Sequence, residues 1–156
     1  MTINATGGSR LFICTTPTTS ADDVSAYAAL TWVEVNEIES IAAFGDKASS
    51  ITFTSLKDSR VRKLKGPRDA GDVDVVYGHD PVDAGQIALS AAQRTKFSYP
   101  IKVTISDAQD ESAADSAFYF QAKISGVPIN PGSATDVTKR TVTLGIDTEI
   151  VEDLTS

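Results

Sequence analysis

Ile101-Lys102-Val103-Thr104-Ile105, Phe118-Tyr119-Phe120-Gln121-Ala122-Lys123-Ile124 and Val142-Thr143-Leu144-Gly145-Ile146 decide the fold class of this chain. In each stretch the apolar residues recur at every second position. Ile101, Val103 and Ile105 share one face against Lys102 and Thr104, and Phe118, Phe120, Ala122 and Ile124 share one against Tyr119, Gln121 and Lys123. A period of two is that of a strand with one buried and one wet face. Shorter runs repeat the pattern upstream: Leu11–Thr15, Thr31–Val35 around Trp32, Ile51–Thr54, and Val73, Val75 and Tyr77. Arg60–Leu64 also reads as an extended run.

One helix is predicted, from Pro81 to about Arg94. Asp80 is its expected cap, Pro81 suits the first helical position, and Asp83 falls in the positive first turn. Ala84, Ile87, Ala88 and Ala91 make a narrow apolar face, so the helix is expected to lie against a sheet. Gly85 inside it costs about 1 kcal/mol relative to Ala, which points to close packing there.

Residues 36–49 read as a long loop, with Ile38, Ile41 and Phe44 among acids. Asp107–Asp115 reads as an acidic hairpin tip, and Asn130-Pro131-Gly132-Ser133 as a turn. The expected fold is mainly β: an antiparallel β-sandwich or barrel with one flanking α-helix. Residues 1–156 form one expected domain, with residues 1–9 as an N-terminal arm and 148–156 as a C-terminal arm.

The chain has 156 residues, enough for a core without a metal or disulfide staple. Its 14 Lys and Arg face 21 Asp and Glu, a net charge of −7. That sign argues against a general nucleic-acid clamp, which needs excess cations to replace phosphate counterions. It suits a surface that DNA slides past. One cysteine, Cys14, excludes an internal disulfide, and one histidine, His79, excludes a His/Cys zinc site within one chain. No run approaches the ~20 apolar residues of a membrane helix, so no membrane insertion is expected. The polar start lacks the order of a signal peptide, and a cytoplasmic start is expected.

Candidate chemistry is sparse. His79, in Gly78-His79-Asp80-Pro81, reads either as a general base with Asp80 or Asp83, or as a turn histidine at a helix start. No Ser or Cys motif accompanies it, which favours the turn. Acids group as Glu34/Glu37/Glu39, Asp72/Asp74 and Asp107/Asp110/Glu111/Asp115. A glycosidase pair, a calcium loop and a solvated face are the three readings. The calcium-loop pattern is incomplete, and the solvated face is preferred. Trp32, Phe44, Phe97 and Tyr99 read as core or interface before they read as a sugar platform. Asn4-Ala5-Thr6 fits a glycosylation pattern but has no secretion signal beside it. No phosphate-cradling glycine loop is present, and no cofactor is expected.

Arg60, Arg62, Lys63, Lys65 and Arg68 place five cations in nine residues. Nucleic-acid contact, a solvated strand face and pairing with the acids of a neighbouring subunit are the three readings, with subunit pairing preferred.

This region also carries a resemblance. Ile51-Thr52-Phe53-Thr54-Ser55-Leu56, Asp58, Arg60-Val61-Arg62-Lys63-Leu64-Lys65-Gly66 and Arg68-Asp69-Ala70-Gly71 resemble the major tail tube proteins of long, flexible, non-contractile phage tails, the lambda-like siphophage family. Gly78, Asp80 and Asp83-Ala84-Gly85-Gln86-Ile87-Ala88-Leu89 continue it. Trp32-Val33-Glu34-Val35, Ile38 and Phe44-Gly45 fit upstream; Tyr119-Phe120 and Thr141–Ile146 fit more loosely. It spans roughly residues 30–147, with gene transfer agent and type VI secretion tube proteins as relatives.

The resemblance implies a non-enzymatic structural subunit with no catalytic, cofactor or metal site. Homohexameric rings would stack into a hollow tube that encloses a tape-measure protein and later conducts DNA. Tail terminator and tail-tip proteins would be further partners, with the tube in the virion tail and assembled in the host bacterial cytoplasm. Six copies at −7 each carry about −42, a sign that keeps phosphate from sticking. Ile41, Phe44, Asp46, Arg60, Arg62, Lys63, Lys65 and Arg68 are the expected interface residues, with Ile41 and Phe44 as anchors inserted into a groove on the next ring. The other open readings are a monomeric carbohydrate- or surface-binding β-sandwich, a small hydrolase using His79 or a carboxylate pair, and a secretion-tube or tail-terminator ring.

Overall fold

The computed structural model describes residues 3, 5, 7–18 and 21–154. Asn4 and Thr6 of the glycosylation pattern, and the outermost residues of both expected arms, lie outside the described residues. Eleven strands and two helices follow one another as β1 (Arg10–Ile13), α1 (Val24–Ala28), β2 (Val33–Val35), β3 (Ile38–Ile41), β4 (Lys47–Thr54), β5 (Val61–Asp69), β6 (Asp72–Gly78), α2 (Ala84–Gln93), β7 (Tyr99–Ile105), β8 (Ser116–Gly126), β9 (Ile129–Asn130), β10 (Lys139–Ile146) and β11 (Val151–Asp153).

The strands divide unequally. Nine belong to one antiparallel sheet in the order β2-β1-β7-β8-β10-β6-β3, with β11 added to β8 and β9 to β10. Among the described residues β4 and β5 pair only with each other. The large sheet ends at β2 and β3, yet these strands are separated in sequence only by Asn36 and Glu37. Three chain steps from Val35 to Ile38 span at most about 11 Å. The sheet therefore curls until its two edges nearly meet, as an open barrel. Glu37 takes the tight corner with φ 65°.

The alternating residues read from the sequence fill this barrel. Leu11, Val75, Tyr77, Ile101, Phe120, Val142 and Leu144 are fully buried. At the register shift between Thr143 and Leu144, Ser125 is the extra residue of β8, a bulge that adds to the curl. A second, smaller core lies where α1 packs on the outer face of β8. There Tyr27 stacks on Tyr119 at 5.3 Å, and the indole N–H of Trp32 donates to the Tyr27 carbonyl at 3.0 Å.

α2 closes the seam. It begins at Ala84, not Pro81, because Asp83 rather than Asp80 provides the cap; Pro81 and Val82 form a turn before it. The inward face is Gly85, Gln86, Leu89 and Ala92; of the expected Ala84–Ile87–Ala88–Ala91 stripe only Ala88 packs against the core, and Ile87 is 54% exposed. The difference follows from Gly85. A Cβ there would sit 2.6 Å from Val35 Cα, so only glycine lets the helix rest on β2.

Residues 36–49 are not one loop. They contain the whole of β3 and the start of β4, joined by residues 42–46. Within the expected C-terminal arm, Val151–Asp153 pair with β8 as β11, in register Val151 to Tyr119. Cys14 follows β1, is buried, and points its thiol at the Thr16 carbonyl at 3.5 Å.

Candidate assembly interface

All eight residues of β4 are exposed, and eight of the nine of β5. An isolated two-stranded ribbon is marginal in water, and its bare edges invite pairing. The register explains how its sequence is arranged. Ile51 faces Leu64, and Phe53 faces Arg62, so these four share one side. Ser50/Lys65 and Thr52/Lys63 share the other. One side is thus apolar with a single guanidinium, and the other polar and basic apart from Val61, which faces Thr54. Leu56 is completely exposed at the tip, while Phe53 and Leu64 are 59% and 60% exposed.

The ribbon is shaped at both ends. Between Ala48 and Ser50 the partner strand advances by three residues, a bulge at Gly66-Pro67, where proline cannot supply a ladder N–H. A side chain at Gly66 would collide with Ser49 Oγ. At the tip, Asp58 accepts from the Arg60 N–H at 3.1 Å and the Arg62 guanidinium at 2.9 Å. These bonds hold the Asp58 carboxyl below its ordinary value, the backbone N–H of Arg60 contributing most.

Charge is segregated along the chain. Residues 47–69 hold seven of the 14 Lys and Arg but two of the 21 Asp and Glu, so the ribbon carries +5 and the remainder −12. Of the five clustered cations, only Arg62 has an ion-pair partner among the described residues. Arg60, Lys63, Lys65 and Arg68 have none there.

The body offers an apolar groove of about 670 Å³. Ile41, Phe44, Val103, Ile105, Phe118 and Ile150 line it, with the exposed acids Asp46 and Glu152. Phe44 packs edge-on against Phe118 at 5.7 Å and also against Phe120 at 5.8 Å. Ile41, at the end of β3, and Phe44, in the connection that follows, therefore form the wall of a groove and do not project as free anchors. Adjoining depressions share Asp46 with the ribbon base and add Asp69, Asp72, Asp147 and Glu149.

The other candidate chemistry disperses. His79 is exposed, and its backbone N–H donates to the Thr138 carbonyl at 2.9 Å. The carboxylates that could orient it are engaged elsewhere: Asp80 by the Val82 N–H at 3.1 Å, and Asp83 by Asn36 and Gln86. Glu34 pairs with Arg10, Glu39 with Lys139, and Asp74 accepts from Thr143. Asp107 and Asp110 serve their own turn; hydrogen bonds from Ser116 and from Ser112 pull their carboxyls below the ordinary value. Among the described residues no group of three or more His, Cys, Asp or Glu could hold a metal ion. Trp32 and Phe44 are half-buried against other aromatic rings and Tyr99 is buried; of that aromatic set only Phe97 is strongly exposed. No helix among the described residues is long and apolar enough to cross a membrane.

The fold as a whole has solved counterparts. The sheath/tube terminator of an extracellular contractile injection system (PVC, extended state) superposes with a TM-score of 0.68 at 10% identity, over 97% of this chain and 96% of that one. The SPP1 tail tube gives 0.65 at 13% identity, over 93% and 76%. The tube-terminating cap of the anti-feeding prophage gives 0.64 at 12%, over 99% and 94%. The fold is tail-tube-like. No family model and no curated protein matches the sequence. At these identities the likeness speaks for the fold alone, and it spans phage tail and contractile injection system parts. The ribbon is legible in the sequence as two strands. The groove is not, because its lining is drawn from β3, β7, β8 and the stretch around β11, far apart in the chain.

Proposed function

We propose that this chain is a structural, non-enzymatic subunit of a tail-type tube. Homohexameric rings stack into a hollow conduit that encloses a tape-measure protein and passes DNA without binding it specifically. The tube belongs to a virion tail of the non-contractile, lambda-like kind, assembled in the host bacterial cytoplasm and completed by terminator and tail-tip proteins. Residues 1–156 act as one domain; the N-terminal arm at 1–9 reaches neighbouring copies, whereas Val151–Asp153 of the expected C-terminal arm are held on the chain's own β8.

The observation that carries this reading is the uncovered β4–β5 ribbon on a tail-tube-like body. A monomeric binding module has no use for a ribbon whose apolar side is bare, whereas a subunit covers it on assembly. Arg60, Lys63, Lys65 and Arg68 supply cations for a neighbour's acids, and Ile41, Phe44 and Asp46 line an apolar groove open to a neighbour. A net charge of −7 per copy keeps a lumen negative.

Negative-stain electron microscopy of purified protein over a concentration series is the test. Hollow six-fold tubes are expected. Monomers throughout, even with a tail-tip initiator added, would refute the assembly reading. Single rings that never stack would favour a terminator, the role of two of the structural counterparts.

A further inference from the structure

We infer that the groove walled by Phe44 and Phe118 is the receptor for the apolar side of the β4–β5 ribbon of a second copy. The inference deepens the assembly reading and rests on it, by naming which surface meets which.

Three observations support the match. The first is chemistry. The ribbon presents Ile51, Phe53 and Leu64 on one side, and the groove is apolar with room for more than one large side chain, at about 670 Å³. The second is charge. Arg62 lies on the same side as Phe53, and the groove carries Asp46 and Glu152. A +5 ribbon and a −12 body attract before they touch.

The third is reach. The ribbon leaves the body at Lys47, next to the groove residues Ala43–Asp46. Six strand steps carry Phe53 about 20 Å from that base. A chain's own ribbon thus carries Phe53 well away from its own groove, and a second copy must supply the occupant. The contact joins two different patches, so a joined pair still has one free ribbon and one free groove. Such a contact closes into a ring or grows without end.

Cross-linking tests it. Phe53→Cys and Ala43→Cys are made in separate full-length chains; Ala43 is exposed on the groove lip, and the native Cys14 is buried. The two are mixed, oxidised and analysed on a non-reducing gel with mass spectrometry, beside sedimentation of wild type. A disulfide dimer containing one of each chain is the expected main product. Adding Leu64→Glu to the Phe53→Cys chain, or moving the thiol to the opposite side as Thr52→Cys, lowers its yield about tenfold.

Dimers formed only between two Phe53→Cys chains would overturn the inference in favour of ribbon-to-ribbon pairing. Intrachain linkage in a dilute double variant would overturn it in favour of fold-back. Wild type that assembles without the mixed cross-link sinks the inference and leaves the tube reading standing. A mixed cross-link in protein that forms only closed single rings sinks the stacked-tube reading and leaves the inference; one in protein that never exceeds a pair overturns the inference, because such a contact cannot stop there. Loss of both assembly and cross-link refutes both.

Discussion

Asn36 donates twice to one carboxylate, that of Asp83: its backbone N–H at 3.2 Å and its side-chain amide at 2.6 Å. The same carboxylate caps α2 by accepting the Gln86 N–H at 3.0 Å. Gln86 completes the clasp, donating to the carbonyls of Asn36 and Gly78 and accepting from the Asp80 N–H. β2 and β3 are not paired with each other, so these bonds hold the seam where the sheet edges meet.

Removing the clasp should therefore loosen the whole barrel. Asp83→Ala leaves three donors without a partner; hydrogen bonds to a charged group are worth about 1.5–3 kcal/mol each, and because the exposed Asn36 can turn its donors to water, a loss of about 3 kcal/mol, less than the full sum, is expected. Gly85→Ala should cost about 1–3 kcal/mol, because its methyl meets the Val35 backbone and not a movable side chain. Urea unfolding measures both. A Gly85→Ala midpoint equal to wild type would contradict the observed packing of α2 on β2.

The core strands are legible because a period of two survives wherever one face meets the barrel interior: Val103, Phe120 and Leu144 all obey it. The same signal misleads for Ile51, Phe53 and Leu64. Alternation records that one face is apolar, not what covers it, and here nothing among the described residues does. β3 reads as loop because Ile38-Glu39-Ser40-Ile41 is four residues long and breaks the alternation at Ser40, where its pairing with β6 shifts register. α1 has five residues and β11 reads Val-Glu-Asp, too short and too polar for a pattern to stand out. The sequence places the start of α2 three residues early, since Asp80 and Asp83 are equally good caps on paper. Tertiary bonds from Asn36 decide between them.

Ribbon substitutions should separate stability from assembly. Phe53→Lys removes no contact with the body, so unfolding free energy is expected to stay within about 0.5 kcal/mol of wild type. Tubes should nevertheless fail to form at concentrations where wild type assembles, read by sedimentation and negative stain. Equal loss of stability and assembly would mean that the ribbon is packed in the free subunit.

Cations on the two sides of the ribbon should differ in effect. Lys63 and Lys65 have no acid partner among the described residues, whereas Arg62 is tied to Asp58 at 2.9 Å. Lys63→Glu with Lys65→Glu should raise the concentration needed for assembly and reduce its dependence on salt, because screened pairs between copies are what is lost. Arg62→Glu should in addition disorder the ribbon tip. If salt between about 50 and 500 mM leaves wild-type assembly unchanged, cation pairing between copies is not a driving force.

Asp58 offers a pH handle on the same tip. Its folded value lies below the ordinary 3.8 because the Arg60 N–H, and then the Arg62 guanidinium, favour the ionised carboxylate. A depressed acid stabilises the fold above its unfolded value, and that contribution disappears as the pH falls through the folded one. The tip should thus keep its order from neutral pH down to about 4 and fray only below it. Carboxyl NMR titration reads the Asp58 midpoint, and hydrogen exchange at the Arg60 amide reads the order. Asp58→Asn, which cannot ionise, should speed Arg60 exchange at neutral pH and flatten its response to acid. An Asp58 midpoint above 3.8 would mean that these two bonds do not form in solution, and the tip presenting Leu56 would then be unstructured before assembly.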